Sequence, residues 1–255
     1  DNLKLLPKQR LELEKIINKN TGLVIVNGPT GSGKSTTLYT ILNYVNKSEV
    51  NVVTLEDPVE VIINGVNQMM VNSKEGVSFA NGLRSIMRQD PDVIMVGEVR
   101  DEETAVMAVR AALTGHKVYT TIHSTEPREV YLRLEEMGIK SYLIRESLVG
   151  IISQRLIKML CDSCKEEEII TYTGSRAKIY KRGIGCEKCN FTGYLGRALI
   201  ISINEITKDV KKKLVKIYDD NTILTNIQMV DNLNNLLING KISRLDYMEF
   251  IDREI

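Results

Sequence analysis

Gly28-Pro29-Thr30-Gly31-Ser32-Gly33-Lys34-Ser35 separates an apolar run at residues 23–27 from a helix-like stretch at residues 35–46. The spacing is G-x-x-x-x-G-K-S/T, and a strand before it with a helix after it is the context that distinguishes a phosphate-binding loop from a chance glycine-rich turn. Glycines let successive backbone N–H groups converge on one phosphate without Cβ clashes, and the helix opening near Ser35 adds the positive end of its dipole. Gly28, Thr30, Gly31, Ser32, Gly33, Lys34, Ser35 and Thr36 are therefore the expected nucleotide-binding residues. Lys34 should reach the β- and γ-phosphates of ATP, and the Ser35 hydroxyl should ligate Mg2+.

Outward from this loop the pattern alternates. Residues 3–20 carry apolar side chains at helical spacing (Leu6, Leu13, Ile16, Ile17) and predict an amphipathic helix. After the loop come a strand at 51–55, hairpin strands within 61–71, a helix at 78–88, a buried strand at 93–96, a helix at 102–114 and a strand at 117–123. Strands separated by helices imply a doubly wound α/β fold with a mostly parallel sheet. Apolar residues at 143, 144, 148, 151, 152, 156 and 160 predict a helix over 142–160 with one dry face. The lysine-, asparagine- and leucine-rich tail at 209–255 reads as helical. The expected division is an ATPase core at 1–160, a cysteine-bearing subdomain at 161–197 and a mostly helical subdomain at 198–255.

Charge argues against two partner classes. Lys and Arg number 34 against 33 Asp and Glu, so no basic field is laid out for phosphate backbones, and nucleic acid is not expected. Apolar runs such as 23–26 and 93–96 fall far short of the ~20 residues that span a bilayer.

Carboxylates supply the second half of the chemistry. Asp92-Val93-Ile94-Met95-Val96-Gly97-Glu98 has the form of a buried strand ending in an acid, which would project at the C-terminal sheet edge where ligands bind. There Glu98 can orient or deprotonate a water attacking the γ-phosphate. Gly97 stands where many phosphate-loop ATPases carry an Asp, so Mg2+ is expected to rest mainly on Ser35, the phosphates and waters. Glu56-Asp57-Pro58, with Glu60, follows the strand at 51–55, and Glu56 is the second catalytic candidate; the alternative is a solvated turn. His123 ends a strand on the same edge, within reach of a γ-phosphate, whereas His116 at the other end reads as structural. Arg84 and Arg88, four apart on one helix, either contact phosphate as a pair or pair with surface carboxylates.

Cys161-x-x-Cys164 and Cys186-x-x-Cys189 are two knuckles suited to one tetrahedral Zn2+ site. Four protein ligands leave no open position, so the expected role is structural. Paired cysteines of this kind also favour a reducing, cytosolic setting.

Taken together, residues 28–39, 54–60, 83–101 and 114–124 resemble the Walker A, Asp, Walker B and His boxes of the secretion ATPase superfamily, in that order. Gln154-Arg155-Leu156 before the cysteines and Gly193-Tyr194-Leu195-Gly196-Arg197 after them narrow the resemblance to the pilus assembly and type II secretion branch. The resemblance implies a RecA-like fold. It gives Lys34 and Ser35 the nucleotide and Mg2+, and it makes Glu98 the Walker B acid and Glu56 the Asp box acid. His123 then contacts the γ-phosphate region, and Arg84, Arg88, Arg100 and Arg110 are candidates for phosphate contact or subunit coupling. It further implies a homo-hexamer on the cytoplasmic face of the inner membrane, peripheral to it. There the ring would turn a membrane platform protein and drive type IV pilus extension, with type II secretion as the alternative. A nucleic-acid translocase and a non-hydrolysing nucleotide-gated adaptor are the remaining readings. His123 is followed by Ser-Thr where the family usually shows Thr-Asn, and the segment after Arg197 is a few residues longer than usual. Family members carry another domain before this core, whereas only residues 1–20 precede it here, so the chain alone is expected to form rings weakly and turn over slowly.

Overall fold

Four fully buried parallel strands stand side by side: β2 (Val52–Glu56), β4 (Val93–Val96), β5 (Lys117–Ile122) and β1 (Gly22–Asn27). Their near-continuous apolar sequence is what burial on both faces requires. β3 (Asn67–Met70) adds to the β2 edge, and β6 (Leu148–Leu160) with β9 (Tyr194–Glu205) extends the other, giving the order β3-β2-β4-β5-β1-β6-β9. This computed structural model describes residues 3–72, 77–172, 175–220 and 222–254. The remaining elements are α1 (Pro7–Ile17), α2 (Lys34–Val45), α3 (Phe79–Ile86), α4 (Glu102–Leu113), α5 (Pro127–Glu136), α6 (Ser141–Ser147), α7 (Lys208–Lys213), α8 (Ile227–Ile238) and α9 (Arg244–Glu254). An antiparallel pair, β7 (Glu166–Tyr172) and β8 (Ser175–Lys181), completes the set.

Contacts group the chain into two units: residues 1–154 with 203–225, and residues 155–202 with 226–255. In the first, small residues Ala105, Ala108, Ala111 and Ala112 let α4 approach a core that includes Leu55, Ile94, Val118 and Ile151. Side chains start the helices: Ser78 accepts from the Asn81 amide and Asp101 from the Thr104 amide. In the second unit, α8 and α9 share a core with Ile157 and Ile200, through Met229, Leu233 and Phe250.

A lysine is built into the first core. Lys117, 3% exposed, donates from Nζ to the Ile16 carbonyl at 2.6 Å, in the last turn of α1. A cation suits that negative helix end. Burial nevertheless pushes the Lys117 ammonium down to about 7, with Lys19 adding to the effect.

Two sequence expectations are corrected. The helix expected over 142–160 is α6, ending at Ser147, followed directly by strand β6. Residues 148 and 150–152 are buried in the sheet and Val149 half-buried, and a short apolar run there has no periodicity to separate strand from helix. Gly150 belongs to that strand, since a Cβ there would stand 2.8 Å from the Ile16 side chain. No hairpin forms at 61–71 either: β3 is a lone short strand parallel to β2, and residues 57–66 are irregular.

Candidate functional site

Turning from β1 into α2, the chain passes through Gly31 at φ 77° and Gly33 at φ 88°, left-handed conformations that aim amides inward without a Cβ penalty. Nothing lies within 4 Å of where a Gly31 Cβ would be, so the loop is open at Gly31. Lys34 folds over the loop, its Nζ donating to the carbonyls of Gly28 (2.9 Å) and Pro29 (3.0 Å). From beneath, Gln154 Nε2 donates to the Ser32 carbonyl at 2.8 Å. Ser32 Oγ is buried with no hydrogen-bond partner. An open glycine cradle, an orphaned hydroxyl, a lysine at the first turn and the neighbouring Ser35 hydroxyl are a donor set that fits a nucleotide triphosphate with Mg2+. Thr30 is exposed on the loop and Thr36 is exposed in the first turn of α2.

The next strand ends bring the acids. At the end of β4, Glu98 has its carboxylate 13% exposed, paired through Oε1 with Arg100 and lying 3.4 Å from His123 Nε2 through Oε2. Thr121 Oγ1 donates to the Gly97 carbonyl at 2.8 Å, fixing the Glu98 turn to β5. Glu56 ends β2, one strand further along; it is 3% exposed and accepts from Tyr39 OH, from Thr54 Oγ1 at 2.6 Å and from Gln68 Nε2 at 3.0 Å. The phosphate loop, His123, Glu98 and Glu56 therefore occupy the C-terminal ends of four consecutive parallel strands, the edge at which such sheets bind ligands.

Arg84 and Arg88 are not brought there. Arg84 lies on the exposed face of α3, bonded to Glu103 at 2.6 Å and Asn81 at 2.7 Å. Arg88 is exposed in the turn after α3; the next two residues bond through their carbonyls to Asn51, which precedes β2, so it lies toward the opposite sheet edge. Arg100, named by resemblance alone, is the arginine at the acid.

Asn27 was not singled out from sequence. It is fully buried, donates from Nδ2 to the Ser124 Oγ at 3.1 Å and the Glu126 carbonyl at 3.3 Å, and accepts from Ser153 at 2.6 Å. It clamps the turn after His123 to the start of the phosphate loop, and Ser124 is thereby a partner in that clamp. A polar residue closing an apolar strand was the available signal. Tyr39 gave none, because its spacing marks it only as a core residue.

In the second unit the four cysteine sulfurs lie within 4.8 Å of one another, and three Sγ–Sγ separations are 3.8 Å. A tetrahedron with Zn–S bonds of about 2.3 Å has edges of about 3.8 Å, so the arrangement fits zinc and is far too wide for disulfides. The amides of Cys186 and Gly193 donate to Cys189 Sγ at 3.2 and 3.3 Å, and the first of these leads in holding its thiol down to about 6. Stabilised thiolate is the form that ligates metal.

Residues 1–244 match the profile of the family described as type II/IV secretion system proteins. The chain belongs to this family. Among type II/IV secretion system proteins, the type II secretion system protein E of Dickeya dadantii (strain 3937) is 48% identical over 195 residues, covering 74% of this chain and 39% of its own length. The type IV pilus assembly ATPase PilB of Thermus thermophilus is 42% identical over 213 residues, covering 79% of this chain and 24% of its own. The crystal structure of the pilus retraction motor PilT with bound ADP superposes with a TM-score of 0.72 at 29% identity, over 97% of this chain and 65% of that one. The chain thus spans about two-fifths of the first of these relatives. Among the described residues no helix is long and apolar enough to cross a membrane.

Proposed function

We propose that this chain is the ATP-hydrolysing motor domain of a type IV pilus assembly or type II secretion machine. The observation that carries the reading is the row of four adjacent parallel strand ends bearing the phosphate loop, His123, Glu98 and Glu56. In this account the loop amides and Lys34 bind and orient the triphosphate. Glu98 orients and deprotonates the attacking water, Glu56 supports it from the neighbouring strand, and His123 donates to the γ-phosphate. Mg2+, when bound through Ser35, would neutralise charge developing on the phosphoryl oxygens. Zn2+ on the cysteines is structural, tying together a segment with little core of its own.

Pilus extension is the function expected from the sequence. The type II secretion reading is supported equally, by relatives that include a type II protein E at 48% identity beside PilB at 42%. Under either, the protein works as a ring of six at the cytoplasmic face of the inner membrane, peripheral to it and coupled to a membrane platform protein. The test is turnover and MgATP binding of Glu98→Gln beside wild type in the full chain. Lost turnover with retained binding supports the motor, whereas turnover that survives the substitution refutes it. Stimulation of hydrolysis by DNA would instead favour a translocase.

A further inference from the structure

Glu56 does not stand free at its strand end. Tyr39 OH donates to Oε2, while Thr54 Oγ1 and Gln68 Nε2 donate to Oε1, so both oxygens are engaged. The donors come from three elements: Tyr39 from α2, Thr54 from β2 itself and Gln68 from the edge strand β3. Two of them also hold the segment that follows. Tyr39 OH accepts the Glu60 amide at 3.2 Å, and Gln68 donates to the Val61 carbonyl at 3.0 Å while accepting the Ile63 amide at 2.7 Å. Tyr39 is 8% exposed, and burial, reinforced by the Glu56 carboxylate, pushes its phenol up to about 12. It therefore stays a donor throughout the working pH range.

Location makes this contact more than a satisfied carboxylate. α2 is the helix whose first turn carries Lys34 and Ser35, and Tyr39 lies little more than a turn beyond them. The element that seats the triphosphate thus holds the acid three strands away. We propose that Tyr39 is a positioning residue for hydrolysis, fixing the Glu56 carboxylate to the phosphate-loop helix so that the two keep one geometry, with Gln68 as its counterpart from the sheet edge. This rests on the reading that Glu56 acts in the reaction. Removing the phenol oxygen leaves the ring's packing intact but frees one side of the carboxylate, and small misplacements of a reacting group cost about tenfold or more in rate.

The test is Tyr39→Phe in the full chain, with kcat, KM and MgATP binding measured beside Glu56→Gln. The expected result is a fall in kcat of about tenfold with ATP affinity unchanged within about twofold. Wild-type kcat in Tyr39→Phe, while Glu56→Gln is inactive, overturns the positioning role and leaves the proposed function standing. A parallel loss of ATP affinity and kcat also overturns it, because that is the signature of a damaged α2. Undiminished turnover in Glu56→Gln instead removes the reading on which it rests. Should Tyr39→Phe fail to fold, Gln68→Met carries the same test, since Gln68 sits on an edge strand; it should lower kcat at constant affinity, and an unchanged kcat overturns the proposal.

Discussion

His123 Nε2 lies 3.4 Å from Glu98 Oε2, across the ends of adjacent strands β5 and β4. With Arg100 on the other oxygen, the carboxylate is held between a cation and an imidazole on the sheet edge that bears the phosphate loop. An imidazole in that position can report to the acid whether a γ-phosphate is present. His123→Ala is expected to lower kcat by about 10- to 100-fold while MgATP still binds, as measured by steady-state turnover and nucleotide titration. An unchanged kcat would reduce His123 to a bystander.

Asn27 predicts a different loss. Its amide joins the phosphate loop's strand to the half-buried Ser124 turn and to the buried Ser153. Asn27→Leu leaves the buried Ser153 hydroxyl without its Asn27 partner and releases the Ser124 turn, so stability should fall by about 1–3 kcal/mol in denaturant melts. A stability within error of wild type would show that the clamp contributes nothing.

Lys117 predicts a pH dependence of stability. Its ammonium is pushed down from its ordinary 10.5 to about 7, so between those values the unfolded chain binds more protons than the folded one. Stability from this group therefore rises with pH across that window, and below about pH 7 the full cost of burying the charge is present. Lys117→Met should raise stability by about 1–3 kcal/mol at pH 6 and flatten the slope between pH 7 and 10. Thermal melts across that range decide it, and a destabilised, equally pH-dependent variant would contradict the account.

The cysteine geometry predicts metal content. Purified protein should carry one Zn2+ per chain by elemental analysis. Cys186→Ser or a strong chelator should remove it and loosen residues 155–202 and 226–255 by hydrogen exchange, while residues 1–154 stay protected. Full protection of the second unit without metal would show that zinc is not its staple.

Much of this was legible before any coordinates. The phosphate loop reads directly because its glycines, lysine and flanks are all local. Glu98 reads because a carboxylate directly after a short, wholly apolar strand must emerge at the C-terminal sheet edge, beside the bound phosphates. The strand β6 did not, since Leu148 to Ile152 is apolar on every face and periodicity cannot tell a sheet centre from a helix. Arg84 and Arg88 were ambiguous for a related reason: spacing puts both on one expected helix, but only the sheet's direction reveals that α3 and the turn after it run toward the edge away from the loop. Tyr39 and Gln68 were invisible because what gives them meaning is a shared contact with Glu56, made by residues 17 and 12 positions away along the chain.

The most direct test is a crystal structure of the chain with Mg2+ and a non-hydrolysable ATP analogue. Lys34 Nζ should leave the Gly28 and Pro29 carbonyls for the β- and γ-phosphates, with the Glu98 carboxylate within about 5 Å of the γ-phosphate, directly or through one water. A triphosphate bound elsewhere, or seated on the loop with Glu98 and Glu56 both about 10 Å or more from its end, would contradict the account.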